Sequence, residues 1–372
     1  MPSTHIGTET ILDIATAYID DNMPKTWYDA ARTNTKSIFA AYILQKSRIK
    51  QRTPSEKYTF NLKVGKNHGT RATGFFDTLA PPRTDLAKKG EVNWTWQDSS
   101  FVIDIREPCW NGQGKELEQF SYLEMQQQDL IDGFFEQNDE WFLSLAAGPN
   151  DGTEGHPVPF GLPYILTPST TATFGFNGEL PSGYSSKFGV DSSLEKYKGY
   201  RNGTFTFGAI SDTDGLLQME KANKKCNFKS YKKVSPETEP GEAETDYLII
   251  SHEDWYFEYS KYLKTHNDNT GKDGGKYSSG RLAMDSHNFQ GVEWIYAEQF
   301  SDEDSTAYDT TKPMYGVNLT TIEVNTYGDW WMKKKKPVMQ SDAPNTAVIV
   351  MDSGFAVSSP SVRASWRARV NA

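Results

Sequence analysis

The chain has 372 residues, room for two or three domains, with 37% hydrophobic and 24% charged residues, which excludes a disordered tail. Its formal net charge of −10 sets an acidic body against phosphate at long range, so a general nucleic-acid binder is disfavoured. Aromatic residues make up 13%, enough for broad flat contact surfaces as well as cores.

Taken in chain order, the first expected helix runs over Thr8 to Asp21, where Ile11, Leu12, Ala15, Tyr18 and Ile19 recur at helical spacing before Pro24. It reads equally as an ordinary docked helix or as an arm reaching a neighbouring subunit. The N-terminus lacks the basic start and apolar run of a signal peptide, and no stretch approaches the ~20 apolar residues of a membrane span. A chain made and kept in the cytoplasm is the expectation.

The segment YTFNLKV alternates strictly, with Tyr58, Phe60, Leu62 and Val64 on one side, and predicts a half-buried strand. Its expected partner, EVNWTWQ, turns Val92, Trp94 and Trp96 one way. Between them lies a polar, basic tip carrying Lys66, Arg71, Arg83, Lys88 and Lys89. The apolar phase then switches to Phe101, Ile103 and Ile105, so a bulge is expected at Asp98 to Ser100. A two-stranded ribbon cannot keep its own aromatics dry. It must lie on this chain's body or on another molecule. The reading taken here is a reaching arm whose tryptophans stay unburied until a sister subunit covers them.

From Lys115 to Ala147 the apolar residues trace a helical face, roughly 50 Å long at 1.5 Å per residue, with Gly133 as a weak point. From Asp151 to about Tyr200 the composition is that of loops, with FGLPYIL as the one strand signal. Ser211 is expected to cap a helix over SDTDGLLQMEKANKK. A buried strand at Tyr247 to Ile250 should lead into a helix capped by Ser251. In the C-terminal third, YGVNLTTIEV reads as strand, NTAVIVMDSGFAV as a hairpin turning at Asp352 to Gly354, and SVRASWRARV as a strand with Val362, Ala364, Trp366, Ala368 and Val370 inward and its arginines outward.

Signals of chemistry are few. The six histidines have no metal-ligand spacing, and Cys109 and Cys226 stand alone, as free thiols would in a reducing compartment. No nucleotide-binding, hydrolase or metalloprotease motif is present. Ser251-His252-Glu253-Asp254 holds the letters of a triad, but sequence neighbours cannot form its geometry, and helix capping explains them better. Asp302, Glu303 and Asp304 read as a solvated acidic loop, with a cation site or a dock for a basic tip as the other readings. NDNTGKDGG lacks the acidic positions of a calcium loop. No catalytic residue, metal or cofactor is expected. The run Lys333 to Lys336, beside Trp330 and Trp331, reads either as a solvated turn or as a contact with an acidic surface on a neighbouring subunit.

The order of these elements resembles the major capsid protein of tailed bacteriophages, the Hong Kong 97-type fold, over essentially the whole chain. The match is carried by VNWTWQDSSFVIDIREPCWNGQGKELEQF running into the long helix, by FGLPYIL, by YRNGTFTF, and by MYGVNLTTIEV with NTAVIVMDSG. The resemblance implies an α+β fold in five parts. These are an N-terminal arm (1–54), an extended β-hairpin loop (55–100), a peripheral domain with its spine helix (101–150), an axial α/β domain (151–310) and returning peripheral strands (311–372). It implies a non-enzymatic protein that self-assembles into hexamers and pentamers of an icosahedral head around packaged DNA, which it touches only non-specifically. The chain would be assembled in the host cytoplasm and end in the virion, away from membranes. Itself, a separate scaffolding protein, a portal and a decoration protein are the implied partners. No covalent Lys–Asn crosslink is expected. Arg71, Arg83, Lys88, Lys89, Trp94, Trp96, Lys333, Lys334, Lys335 and Lys336 are the expected inter-subunit contacts. The competing class is a β-rich carbohydrate-active or receptor-binding protein.

Overall fold

The computed structural model describes residues 38–44, 49–63, 74, 87–104, 116–143, 157–169, 174–226, 246–266, 287–300, 312–335, 338–339 and 346–370. The expected helix at 8–21, most of the ribbon tip with Arg71 and Arg83, Cys109, the acidic cluster 302–304 and Lys336 lie outside the described residues. The chain forms two compact units. The first draws on Trp96–Asn138 and Asp329–Gly354, the second on Ile38–Thr95, Asp139–Gly328 and Phe355–Ala372.

The second unit is built on a seven-stranded mixed sheet. Its strand order is Phe174–Gly175, Gly203–Phe207, Trp366–Val370, Met314–Asn318, Tyr247–Ser251, Val292–Tyr296 and His287–Phe289. Helices Gly215–Cys226 and Glu253–His266 bury Met219, Trp255 and Tyr259 against Phe205, Phe207, Ile249, Trp294 and Trp366. Leu248, Ile250 and Val317 on the opposite face are equally dry. Strands covered on both faces read as continuous apolar runs rather than alternations. That corrects the outward placement of Arg367: it sits in a central strand, is buried, and lays its guanidinium over the Tyr315 ring at 5.0 Å.

The ribbon belongs to this unit. Lys57–Lys63 and Ala87–Asn93 pair antiparallel, Tyr58 opposite Val92 and Phe60 opposite Gly90. Tyr58 and Leu62 are buried while Lys57, Thr59, Asn61 and Lys63 are exposed, as the alternation predicts. Ile49–Arg52 runs parallel to Glu323–Tyr327, which pairs in turn with Phe355–Ser358.

In the first unit Lys333–Lys334 and Val338–Met339 each pair antiparallel with the long strand that begins at Thr346, and Thr95–Asp104 pairs with the same strand. The helix Glu116–Leu143 has 28 residues, about 42 Å at 1.5 Å per residue. Its Phe134 ring meets Trp331 at 5.8 Å, and Asn138 donates to Gln97 Oε1 at 2.8 Å.

Several sequence expectations are corrected. NTAVIVMDSGFAV is no hairpin: Thr346–Ser358 is one strand of 13 residues. Gly354 serves close approach rather than a turn, since a Cβ there would stand 2.8 Å from the Trp96 ring. FGLPYIL forms one helical turn, Leu162–Ile165, with Pro163 in the first turn, where its missing N–H costs nothing. The change of phase falls at Trp94–Thr95, both buried, rather than at Asp98 to Ser100, so Trp96 joins Asp98, Ser100 and Val102 on the exposed side. Two caps are shifted. The helix Gly215–Cys226 begins after Asp214 rather than Ser211, and Asp214 Oδ2 receives the amides of Gly208 and Ala209 in the preceding loop. His252 Nδ1 accepts the Asp254 amide at 3.1 Å, while Ser251 Oγ accepts the Trp294 indole at 2.7 Å.

Candidate functional site

Among the described residues no group of three or more His, Cys, Asp or Glu side chains could hold a metal ion, and no helix is long and apolar enough to cross a membrane. The sites worth building are therefore surfaces and buried polar networks, taken one unit at a time.

In the second unit the ribbon root is an aromatic stack. Tyr58 lies 5.8 Å from Phe60 and 5.9 Å from Trp94, and Trp94 meets Tyr327 edge-on at 5.2 Å. The Trp94 indole donates to Ser55 O at 2.8 Å. Trp94 is only 6% exposed. This corrects, for Trp94, the expectation that the ribbon's tryptophans wait for a sister subunit: Tyr58, Tyr327 and Ser55 of its own chain lie against it. Arg52 stacks 5.5 Å from the Tyr58 ring, and Lys50 and Arg52 both pair with buried Glu323. Burial pushes the Tyr58 pKa up, against the pull of Arg52. What the ribbon leaves outward is polar: Lys57, Thr59, Asn61, Lys63, Lys89 and Glu91. Lys89 stands on this open side; Lys88 lies on the half-buried side.

A polar network in the same unit was missed by the sequence reading. Lys187 is 0% exposed, and its ammonium donates to Ile165 O at 2.9 Å, Thr167 Oγ1 at 3.1 Å and Asn202 Oδ1 at 3.4 Å. Asn202 passes the connection on, donating to Thr167 O and Gly203 O. Burial, with the nearby Arg367 charge, lowers the Lys187 pKa to about 7, while three oxygen acceptors favour the charged form. A lysine in a Ser-rich loop reads as exposed; only the Lys-Phe-Gly-Val order, with Gly where a tight turn needs it, hints otherwise.

In the first unit Trp96, half exposed, meets Trp330 edge-on at 5.7 Å. Lys333 Nζ lies 4.7 Å and Lys335 Nζ 5.9 Å from the centre of the Trp330 ring. Lys335 pairs with Asp352, and Lys334 donates to Gln127 at 3.3 Å. Lys333 to Lys335 are thus exposed, and each already has a contact within its own chain. Of the ten expected contact residues, Trp96, Lys333, Lys334 and Lys335 come together here, Lys88, Lys89 and Trp94 sit on the ribbon of the second unit, and Arg71, Arg83 and Lys336 lie outside the described residues.

No protein-family model matches the chain, and no curated protein does. Solved structures do. A chain of the cyanophage A-1(L) capsid asymmetric unit aligns over 93% of this chain and 96% of its own, at 12% identity and a TM-score of 0.58. The capsid chain of a native GTA particle aligns over 93% and 95%, at 10% identity and 0.50. A chain of Gordonia phage Cozz aligns over 94% and 91%, at 10% identity and 0.50. The end-to-end coverage in both directions, on a mixed helix-and-sheet architecture, gives this chain the fold of phage capsid proteins.

Proposed function

We propose that this chain is the major capsid protein of a tailed phage, assembling into the hexamers and pentamers of an icosahedral head around packaged DNA. One observation supports this above others: the likeness to capsid chains runs from end to end of both proteins, not over one shared module. In this reading residues 55–100 are the extended loop, 101–150 and 311–372 the peripheral domain, and 151–310 the axial domain. Since Trp94 is sealed within its own subunit, the contacts offered to a neighbour are the polar outer face of the ribbon, with Lys89, and the Trp96–Trp330 corner with Lys333 to Lys335; Arg71, Arg83 and Lys336 are proposed beside them from the sequence alone. Such contacts are individually weak, and repetition over a closed shell makes them sufficient. A net charge of −10 suits a wall that phosphate must slide past during filling. A separate scaffold, a portal and a decoration protein complete the particle, and no step in this function requires catalysis.

Negative-stain microscopy of the expressed chain, alone and with the scaffold, tests the proposal. Shells, or rings of five and six, are expected. A monodisperse monomer that binds or cleaves polysaccharide would favour the carbohydrate-active class instead.

A further inference from the structure

The turn at Lys187 to Val190 is held more tightly than a surface connection requires. Lys187 N–H donates to Val190 O and Val190 N–H to Lys187 O, both at 2.9 Å. The two residues between them are left-handed, Phe188 at φ 50° and Gly189 at φ 75°, the geometry of a tight hairpin turn. Gly takes this conformation freely; Phe does not, and Asn or Gly is the usual occupant. A large aromatic residue held there needs a reason, and the strain must be over-determined by its surroundings.

The surroundings are all in the second unit. The Phe188 ring is 1% exposed, packed against Phe160 at 4.9 Å, Tyr164 at 5.4 Å and the ribbon's Phe60 at 6.1 Å. Its N–H donates to Tyr164 Oη at 3.1 Å, and its carbonyl accepts the N–H of Glu91, in the ribbon's second strand, at 3.1 Å. Gly189 is fixed by its left-handed φ of 75° rather than by space, since a Cβ there would make only an ordinary contact, 3.7 Å from Glu91 N. Phe60 is presented to Phe188 because it lies across Gly90, where a Cβ would come within 2.6 Å of its ring. Behind the turn, Lys187 is pinned by Ile165, Thr167 and Asn202, and Asn202 by Gly203 of the central sheet. A continuous line of contacts therefore runs from sheet to Asn202, to Lys187, to Phe188, to Glu91 and Phe60.

We infer that the Lys187–Val190 turn is a latch, which clamps the root of the ribbon to the body of its own subunit and fixes the angle at which the ribbon is carried. The ribbon's pose is then a property of the single chain. The ribbon can swing only by breaking the Glu91–Phe188 bond and drawing Phe60 off the Phe188 ring. This goes beyond the capsid reading and does not depend on it.

Hydrogen exchange on the full chain tests the latch, comparing peptides over 57–63 and 87–93 with the central strand Tyr247–Ser251 as a reference. In Phe188→Gly, which keeps the turn and relieves its strain but removes the ring, ribbon exchange should accelerate at least about tenfold with the reference unchanged. Tyr164→Phe, which removes the acceptor of the Phe188 amide, should move the ribbon the same way by a smaller factor. Unchanged ribbon exchange in both variants overturns the latch. So does equal acceleration of ribbon and reference, which would mark Phe188 as a general core residue.

Discussion

The indole of Trp366 lies across Gly316, its partner in the neighbouring antiparallel strand: a Cβ on Gly316 would stand 2.0 Å from Trp366 Cε2. Trp366 is fully buried and its Nε1 donates to Asn223 Oδ1 at 2.8 Å, so the ring has nowhere to go. Gly316→Ala should therefore cost about 3 kcal/mol, the upper range for overpacking. Phe60 over Gly90 is the same pairing, but the ring is half-buried and a Cβ would meet its far end, which can shift at the cost of some packing on Phe188. Gly90→Ala should cost about 1 kcal/mol. Urea denaturation of both variants checks this; equal losses would mean that ring mobility does not set the cost.

Trp94 and Trp96 are two residues apart and should respond oppositely. Trp94→Ala removes a buried ring from the stack of Tyr58 and Tyr327 and should cost about 3–5 kcal/mol in chain stability. Trp96→Ala removes a half-exposed ring and should cost about 1 kcal/mol; on the proposed capsid role its effect should be seen instead in the yield of shells. Thermal melts of the dissociated chain, set beside particle counts, separate the two. A Trp96 variant that assembles normally removes that residue from the contact set.

Lys187 gives a pH dependence with a definite sign. Its pKa is about 7 folded against the ordinary 10.5, so above about pH 7 the unfolded chain holds a proton that the folded chain releases. Stability should rise with pH in that window, by up to ~1.4 kcal/mol per unit. The Cys226 thiol acts in the other direction: burial raises it from 9.0 to about 12, so its contribution is lost as pH climbs past 9.0. Between pH 7 and 9.0, Lys187→Met should flatten the rise seen in the parent chain. Parallel curves for the two proteins would show that Lys187 stays charged.

The four lysines from Lys333 to Lys336 should matter little to the single chain, because Lys333 to Lys335 are exposed and exposed charges contribute only ~0–1 kcal/mol each; the Lys335–Asp352 pair, whose aspartate is largely buried, should account for most of any loss. Changing all four to glutamine should leave the melting temperature of the dissociated chain within a few degrees and, on the proposed capsid role, reduce shell formation. Normal particles would refute the neighbour-contact role.

Much of the architecture was legible in residue order. Strict alternation in YTFNLKV put Tyr58 and Leu62 inward, since side chains in a strand change face at every step. The apolar stripe after Lys115 gave a long helix, because the stripe follows the helical repeat. Both are local periodicities, and local geometry enforces them.

What failed, failed where a partner distant in sequence decides. Gly354 looks like a turn until Trp96 is laid over it. Arg367 looks outward until its strand takes a central place in a sheet covered on both sides. Trp94 looks like a contact for a sister subunit until Tyr327, far along the chain, closes on it. Lys187 looks solvated until Ile165, Thr167 and Asn202 surround it. The amino-acid order by itself determined the long helix and the paired strands of the ribbon, because backbone sterics and the period of apolar residues act within a few residues. Only the tertiary structure decided which aromatic and charged groups end up dry, because burial is set by whatever the rest of the chain places against them.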